Sequence, residues 1–150
     1  MKLWLDCLEK CRGVKQLKSH HPEGDVLNHS MQVFQYALWE SDDYELVVAA
    51  LLHDVGKSVS SRGHEKHGVE MLGGTITAKT EWLILNHMRF WYWIAGKMTR
   101  RMKSIELPNN PWFPDLARLA RWDKMGRIEG WKIIYNRKHV KQKLDELRWK

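Results

Sequence analysis

An all-α fold is predicted for this chain, and three observations predict it. Apolar residues recur at three- and four-residue spacing in one segment after another, the period of a helix face. Strand-like alternation occurs nowhere. Capping residues and glycine or proline stops stand where the periodic segments begin and end. The chain has 150 residues, 43% hydrophobic and 29% charged. That balance excludes a disordered chain and suits one domain over 1–150 with a single core.

The first helix is expected over 3–11, where Leu3, Cys7, Leu8 and Cys11 share helical spacing. A polar break, Ser19-His20-His21-Pro22-Glu23-Gly24-Asp25, follows it, and Asp25 can cap the next helix. That second helix covers 26–39, with Val26, His29, Val33 and Ala37 in register. Ser41, Asp42 and Asp43 offer the third N-cap. The segment 46–54 is almost wholly apolar until it ends in His53-Asp54, so it reads as the central, buried helix. Gly56 marks its end, and 58–63 is a short loop. A short helix over 64–72 stops at Gly73-Gly74. A longer one over 77–93 turns Leu83, Leu85 and Met88 inward. The stretch 97–103 is basic, and 107–114, with Pro108, Pro111 and Pro114, is expected to be a loop. A sixth helix over 115–127 places Leu116, Leu119 and Trp122 on one face. The end of the chain, from 131 on, reads as a basic amphipathic helix with Ile134, Tyr135, Val140, Leu144 and Leu147 on its apolar side.

Composition excludes several classes. Two cysteines cannot build a disulfide scaffold, and Cys7 and Cys11 lack CxxC spacing, so they read as core thiols. No apolar run approaches the roughly 20 residues of a membrane span. Asp6, Glu9 and Lys10 interrupt any signal-peptide core, so a cytoplasmic chain is expected. The 25 Lys and Arg against 18 Asp and Glu give a net charge of +7, a field that attracts phosphates, nucleotides, RNA or acidic surfaces.

The histidines carry the chemistry. His29 falls on the second helix, His53-Asp54 ends the buried third, His64 opens the fourth, His87 lies on the fifth and Asp123 on the sixth. One or two ligands per helix is how helical bundles assemble metal centres in their interior. A His and an Asp after seven apolar residues are costly to bury without partners. A cation is one partner; a helix end reaching solvent is the other reading. Lys57 follows Asp54 past Gly56 and can present a fixed cation to a phosphoryl group. Arg127, four residues after Asp123, shares its helix face. The run Phe90-Trp91-Tyr92-Trp93 directly after His87 is either a platform for a base or core.

Taken together, His29…His53-Asp54-Val55-Gly56-Lys57…Asp123 resembles the HD superfamily of metal-dependent phosphohydrolases, whose signature is a His, a His-Asp pair and a distant Asp. The resemblance covers about residues 20–128. His21-Pro22-Glu23-Gly24-Asp25-Val26, Gly63-His64-Glu65 with Gly68, and the run from Pro114 to Asp123 look like the HD domain attached to bacterial tRNA nucleotidyltransferases. A stand-alone version is expected, because 150 residues leave no room for the nucleotidyltransferase head.

The resemblance implies a bundle of about six or seven helices with the metal site in its interior. It implies His29, His53, Asp54 and Asp123 as ligands of a first ion, with His64 and His87 left for a second and Asp54 bridging. The ions are one or two of Mn, Co, Ni, Mg, Zn or Fe. Asp54 and Lys57 are the expected catalytic residues, and Lys57 and Arg127 the substrate contacts. The implied activity is hydrolysis of a nucleotide phosphate ester, as a 2′,3′-cyclic phosphodiesterase, 2′-nucleotidase or phosphatase, by water that a metal has acidified. The alternatives are a 5′-nucleotidase or deoxynucleoside triphosphate hydrolase, a di-iron oxygenase of the HD type, and a basic module that docks on RNA or protein. Expected partners are a phosphorylated small molecule, RNA through the basic 129–150 segment, and a second copy of the chain, but no membrane.

Overall fold

The computed structural model of the chain describes residues 1–98 and 106–150. Among these every regular element is a helix. Eight helices occur: α1 (Lys2–Glu9), α2 (Val26–Glu40), α3 (Tyr44–Leu52), α4 (His64–Leu72), α5 (Ala78–Ile94), α6 (Glu106–Asn109), α7 (Phe113–Met125) and α8 (Arg137–Arg148), with a 3-10 turn at Val55–Ser58 after α3. No described helix is long and apolar enough to cross a membrane.

Helix α3 is the axis of the bundle. Its residues 46–52 are all fully buried, and α2, α5, α7 and α8 pack around it. A helix apolar on every side needs neighbours on every side. The ends are fixed by side chains that satisfy otherwise orphaned N–H groups. Asp25 accepts from Asn28 N at 2.8 Å, Asp43 from Leu46 N at 3.2 Å and Thr77 from Thr80 N at 3.3 Å. Gly73 closes α4 in the left-handed region at φ +54, where a side chain would be strained.

The expected elements are present, with four local corrections. First, 107–114 is not all loop: α6 and the start of α7 lie in it. Pro108 sits in the first turn of α6 and Pro114 in that of α7, positions whose N–H has no helical partner to lose. This extra turn of helix brings the count to eight. Second, 131–136 is extended, and α8 starts only at Arg137. Side chains of α2 take the backbone groups that a helix would need. Asn28 and Gln32 donate to Trp131 O at 3.0 and 2.6 Å, and Asn28 Oδ1 accepts from Ile133 N at 3.0 Å. Ile134 is consequently 91% exposed, while Val140, Leu144 and Leu147 are buried. Third, Ile84 rather than Leu85 faces the core from α5, and Leu3 of α1 faces solvent. Fourth, part of 58–63 belongs to the 3-10 turn. Arg100, Arg101 and Lys103 lie outside the described residues.

Both cysteines are buried free thiols. Burial pushes the Cys11 thiol up to about 12, so it stays protonated and inert.

Candidate metal centre

Six side chains from five helical elements meet in the interior. His29 lies on α2, His64 opens α4, His87 lies on α5 and Asp123 on the last turn of α7. The adjacent pair His53-Asp54 can face one point because α3 ends at Leu52 and Asp54 leaves the helix at φ −108, ψ 7. All six residues are at most 5% exposed.

Asp54 stands between two groups. Its Oδ2 lies 3.5 Å from His29 Nε2 and 3.3 Å from His53 Nε2. Its Oδ1 lies 3.2 Å from His64 Nε2 and 3.5 Å from His87 Nε2. Asp123 Oδ1 completes the first group, 2.8 Å from His29 Nε2 and 3.4 Å from His53 Nε2.

The imidazole orientations share one cause. Each Nδ1 faces a backbone carbonyl: Gly126 O for His29 at 2.8 Å, Ala50 O for His53 at 2.9 Å, Ser61 O for His64 at 2.9 Å and Ile84 O for His87 at 2.6 Å. A carbonyl only accepts, so Nδ1 carries the hydrogen and Nε2 of the neutral ring presents a lone pair inward. His53 Nε2 has no hydrogen-bond partner at all. His64 and His87 point Nε2 at Nε2, 3.0 Å apart. Converging lone pairs beside two carboxylates fit a divalent cation, and imidazole with carboxylate suits the transition metals. Three sets satisfy metal-ligand spacing: His29, His53, Asp54 and Asp123; Asp54, His64 and His87; and His21, Glu23 and His29, in which the Glu23 carboxylate accepts from both rings. The centre is therefore able to hold a divalent metal ion.

The electrostatics agree. Burial disfavours a charged His29, yet hydrogen bonds to Asp123 and Glu23 outweigh it and raise its pKa to about 9. Burial likewise opposes charge on His53, but the Asp54 and Asp123 carboxylates raise it to about 10. Burial pushes Asp54 and Asp123 upward, but their imidazole partners hold both well below the usual carboxylate range. The two carboxylates thus demand positive charge at the imidazole Nε2 atoms, which protons or a cation can supply.

Lys57 and Arg127 stand at the mouth. Lys57 Nζ lies 3.3 Å from Asp54 Oδ2 and donates to Gln16 Oε1 at 2.9 Å. Arg127 lies 3.8 Å from Asp123 Oδ1 and donates to His20 O at 3.3 Å. Both line a cavity of about 370 Å³ that reaches Asp54, His64 and Asp123, within the size range of ligand pockets, roughly 300–1,000 Å³. The aromatic run divides: Trp91 and Tyr92 line this cavity, while Phe90 and Trp93 pack on Phe113. His67, a neighbour of His64 on α4, belongs to none of the ligand sets.

Gly56 makes the Lys57–His64 geometry possible. A Cβ there would stand 1.8 Å from His64 O and 2.6 Å from Gly68 N, so only glycine lets the 3-10 turn lie against α4.

Three supporting residues are not singled out by the sequence pattern. Glu23 is 2% exposed and places Oε2 2.7 Å from His29 Nδ1 and 3.1 Å from His21 Nδ1. Hydrogen bonds from those two rings overcome the upward push of burial and lower its pKa to about 2. Gly126 supplies the carbonyl for His29, and Gln16 steadies Lys57. Glu23 has a signal in hindsight, an acid beside Pro22 six residues before His29. Gly126 and Gln16 have none, because their contacts span 97 and 41 residues.

Comparison with known proteins agrees with this geometry. The chain is 36% identical over 76 residues to the Multifunctional CCA protein of Pseudoalteromonas atlantica, covering 46% of this chain and 19% of that protein. It is 38% identical over 65 residues to that of Halorhodospira halophila, covering 39% and 16%, and 40% identical over 67 residues to that of a Janthinobacterium species, covering 40% and 16%. The match thus spans less than a fifth of these relatives' length. The HD domain model matches residues 26–125, a span that holds all six converging side chains. The chain belongs to the HD domain family, within the superfamily of metal-dependent phosphohydrolases.

Proposed function

We propose that the chain hydrolyses a phosphate ester of a nucleotide, either a 2′,3′-cyclic diester or a 2′- or 3′-monoester. His29, His53, Asp54 and Asp123 would hold one divalent cation, and Asp54, His64 and His87 a second. The observation that carries this reading is the juxtaposition of the ligand group with two fixed cations on one cavity wall: Lys57 beside Asp54 and Arg127 beside Asp123. A purely structural ion would need neither. Resemblance to the HD domain of tRNA nucleotidyltransferases favours a nucleotide over other phosphate esters.

A divalent cation at this centre supplies charge neutralisation and an acidified water. The remaining roles belong to the side chains. Lys57, anchored by Gln16 and Asp54, presents its ammonium to the phosphoryl oxygens where negative charge builds. Arg127 offers a planar fork of donors suited to the same oxygens. Trp91 and Tyr92 give the cavity π-faces on which a base can stack. The backbone tethers on Nδ1 hold each ring in place without rearrangement. The reaction adds one water across the ester. Its oxygen bonds to phosphorus, the P–O bond to the ribose breaks, and the ribose oxygen takes up a proton.

Metal analysis of the purified protein, then chromatographic detection of ring-opened and dephosphorylated products from 2′,3′-cyclic, 2′-, 3′- and 5′-nucleotides with Mn, Co, Ni and Mg, tests the reading. Turnover of the cyclic, 2′- or 3′-series is expected. Turnover of the 5′-series alone would transfer the assignment to a 5′-nucleotidase, and bound metal without turnover of any of these nucleotides would overturn it.

A further inference from the structure

The cavity at the centre does not end at its mouth. It shares His21, Lys57, Ser61 and Arg127 with a second cavity of about 290 Å³. That one shares Lys15, Gln16 and His21 with a third of about 670 Å³, the roomiest of the three. His21 lines all three, so they form one path leading away from the ligand group. The third cavity lies between the loop that follows α1 and the extended segment before α8, the segment that is not helical because Asn28 and Gln32 hold its backbone.

Beyond the ligand group the rim of the path is cationic. Arg12, Lys15, Lys18 and Lys132 rim the third cavity. None of them pairs with a carboxylate within 4 Å among the described residues, whereas Arg121, Arg137 and Lys79 elsewhere on the surface do. The two acids that line the third cavity are already engaged. Asp25 caps α2 through Oδ1 and accepts from Gly13 N through Oδ2, and Glu23 accepts from His29 and His21. Between the cations lie Ile133, Ile134 and Tyr135, of which Ile134 is 91% exposed. Unpaired cations alternating with apolar wall suit a ligand that alternates phosphates with flat apolar faces.

We propose that this path binds an RNA strand, with the 3′-terminal phosphate, cyclic or open, at the ligand group and the preceding nucleotides running past His21 into the cavity rimmed by Lys15, Lys18 and Lys132. The proposal rests on the nucleotide-phosphohydrolase reading above and narrows its substrate class to RNA ends. A mononucleotide occupies only the first cavity. A strand also reaches the unpaired lysines, and each phosphate it places beside one adds an electrostatic contact.

The test compares binding with turnover on the full chain. A 5′-fluorescein RNA pentamer ending in a 3′-phosphorothioate is titrated by fluorescence anisotropy across a salt series. A 3′-mononucleotide phosphorothioate serves as competitor. The wild type and the Lys15→Glu/Lys132→Glu double variant are compared, both of whose altered side chains are exposed. The pentamer is expected to bind about tenfold tighter than the mononucleotide. The double variant should lose about that factor, and its salt dependence should flatten by roughly 0.7 per lost contact. Its turnover of mononucleotide should stay within about twofold of wild type. A pentamer held no tighter than the mononucleotide, or held equally by the variant, overturns the path while leaving the hydrolase reading intact. Tight, lysine-dependent pentamer binding without turnover of any phosphate ester upholds the path and removes the hydrolase reading instead.

Discussion

His64 and His87 face each other Nε2 to Nε2 at 3.0 Å, and each ring donates its Nδ1–H to a carbonyl three residues earlier in the chain. Two lone pairs at that distance repel unless something positive lies between them. Asp54 Oδ1, 3.2 and 3.5 Å away, brings negative charge to the same point. Replacing either histidine by alanine should therefore lower bound metal by about one equivalent while His29, His53, Asp54 and Asp123 keep theirs. Elemental analysis after dialysis reads this directly. Unchanged stoichiometry would restrict the centre to a single ion.

Glu23 orients His29 from outside the ligand group, through a 2.7 Å contact to Nδ1. Glu23→Gln should weaken metal binding by about 10–100-fold, the usual consequence of losing such a partner. Competition against a chromogenic chelator measures it. An affinity within twofold of wild type would show that Gly126 O alone suffices.

Lys57 is placed for charge, not for ligation. Lys57→Ala should keep full metal content and lower kcat by about 100-fold. Equal activity would remove Lys57 from the site.

Gly56→Ala forces a methyl group to within 1.8 Å of His64 O. The backbones of the 3-10 turn and α4 must separate, so a loss of roughly 4 kcal/mol or more is expected. Thermal or denaturant unfolding checks it. A Tm unchanged from wild type would mean that the turn and α4 can part without cost.

Asp43 caps α3 and pairs with Lys79 on α5 at 2.6 Å, and Lys79 also reaches Asp115 on α7 at 2.7 Å. Burial raises the Asp43 pKa, but the Lys79 ammonium and the cap outweigh it and leave the carboxyl below its ordinary value. A depressed pKa means that the stabilisation is complete above the unfolded-state value near 4 and drains away as pH falls through the lower folded-state value. Asp43→Ala should cost about 1 kcal/mol at pH 7, and the difference from wild type should shrink below pH 4. A difference that persists undiminished at pH 2 would assign the effect to packing instead of charge.

Much of this fold was legible in the chain because its signals are local. Asp25, Asp43, Thr77 and Gly73 mark helix ends within three or four residues of the groups they satisfy. The wholly apolar 46–52 segment can only be central. What escaped local reading depends on distant partners. The 131–136 segment has helical composition, but Asn28 and Gln32, about a hundred residues earlier, take its backbone. Pro108 and Pro114 suggest a loop, yet each falls in the one turn where proline costs a helix nothing. Residue type and helix placement marked His29, His53, Asp54, His64, His87 and Asp123 as candidates and left a solvent-reaching helix end open beside a metal, and it was the resemblance to the HD superfamily that implied them as one ligand set. The supporting roles were not legible: Glu23 stood within the 21–26 motif with nothing to mark it as a partner of His29, and Gln16 and Gly126 left no trace because their contacts span 41 and 97 residues.

The central claim is that these side chains converge on metal. The most direct measurement is an anomalous difference map from a crystal soaked in zinc, a metal whose affinity for imidazole and carboxylate is high. The account predicts the strongest peak at coordination distance, about 2.0–2.2 Å, from His29 Nε2, His53 Nε2 and the near oxygens of Asp54 and Asp123, with a second peak between His64 and His87. A map whose strongest peaks lie elsewhere, with these six side chains uncoordinated, would contradict it.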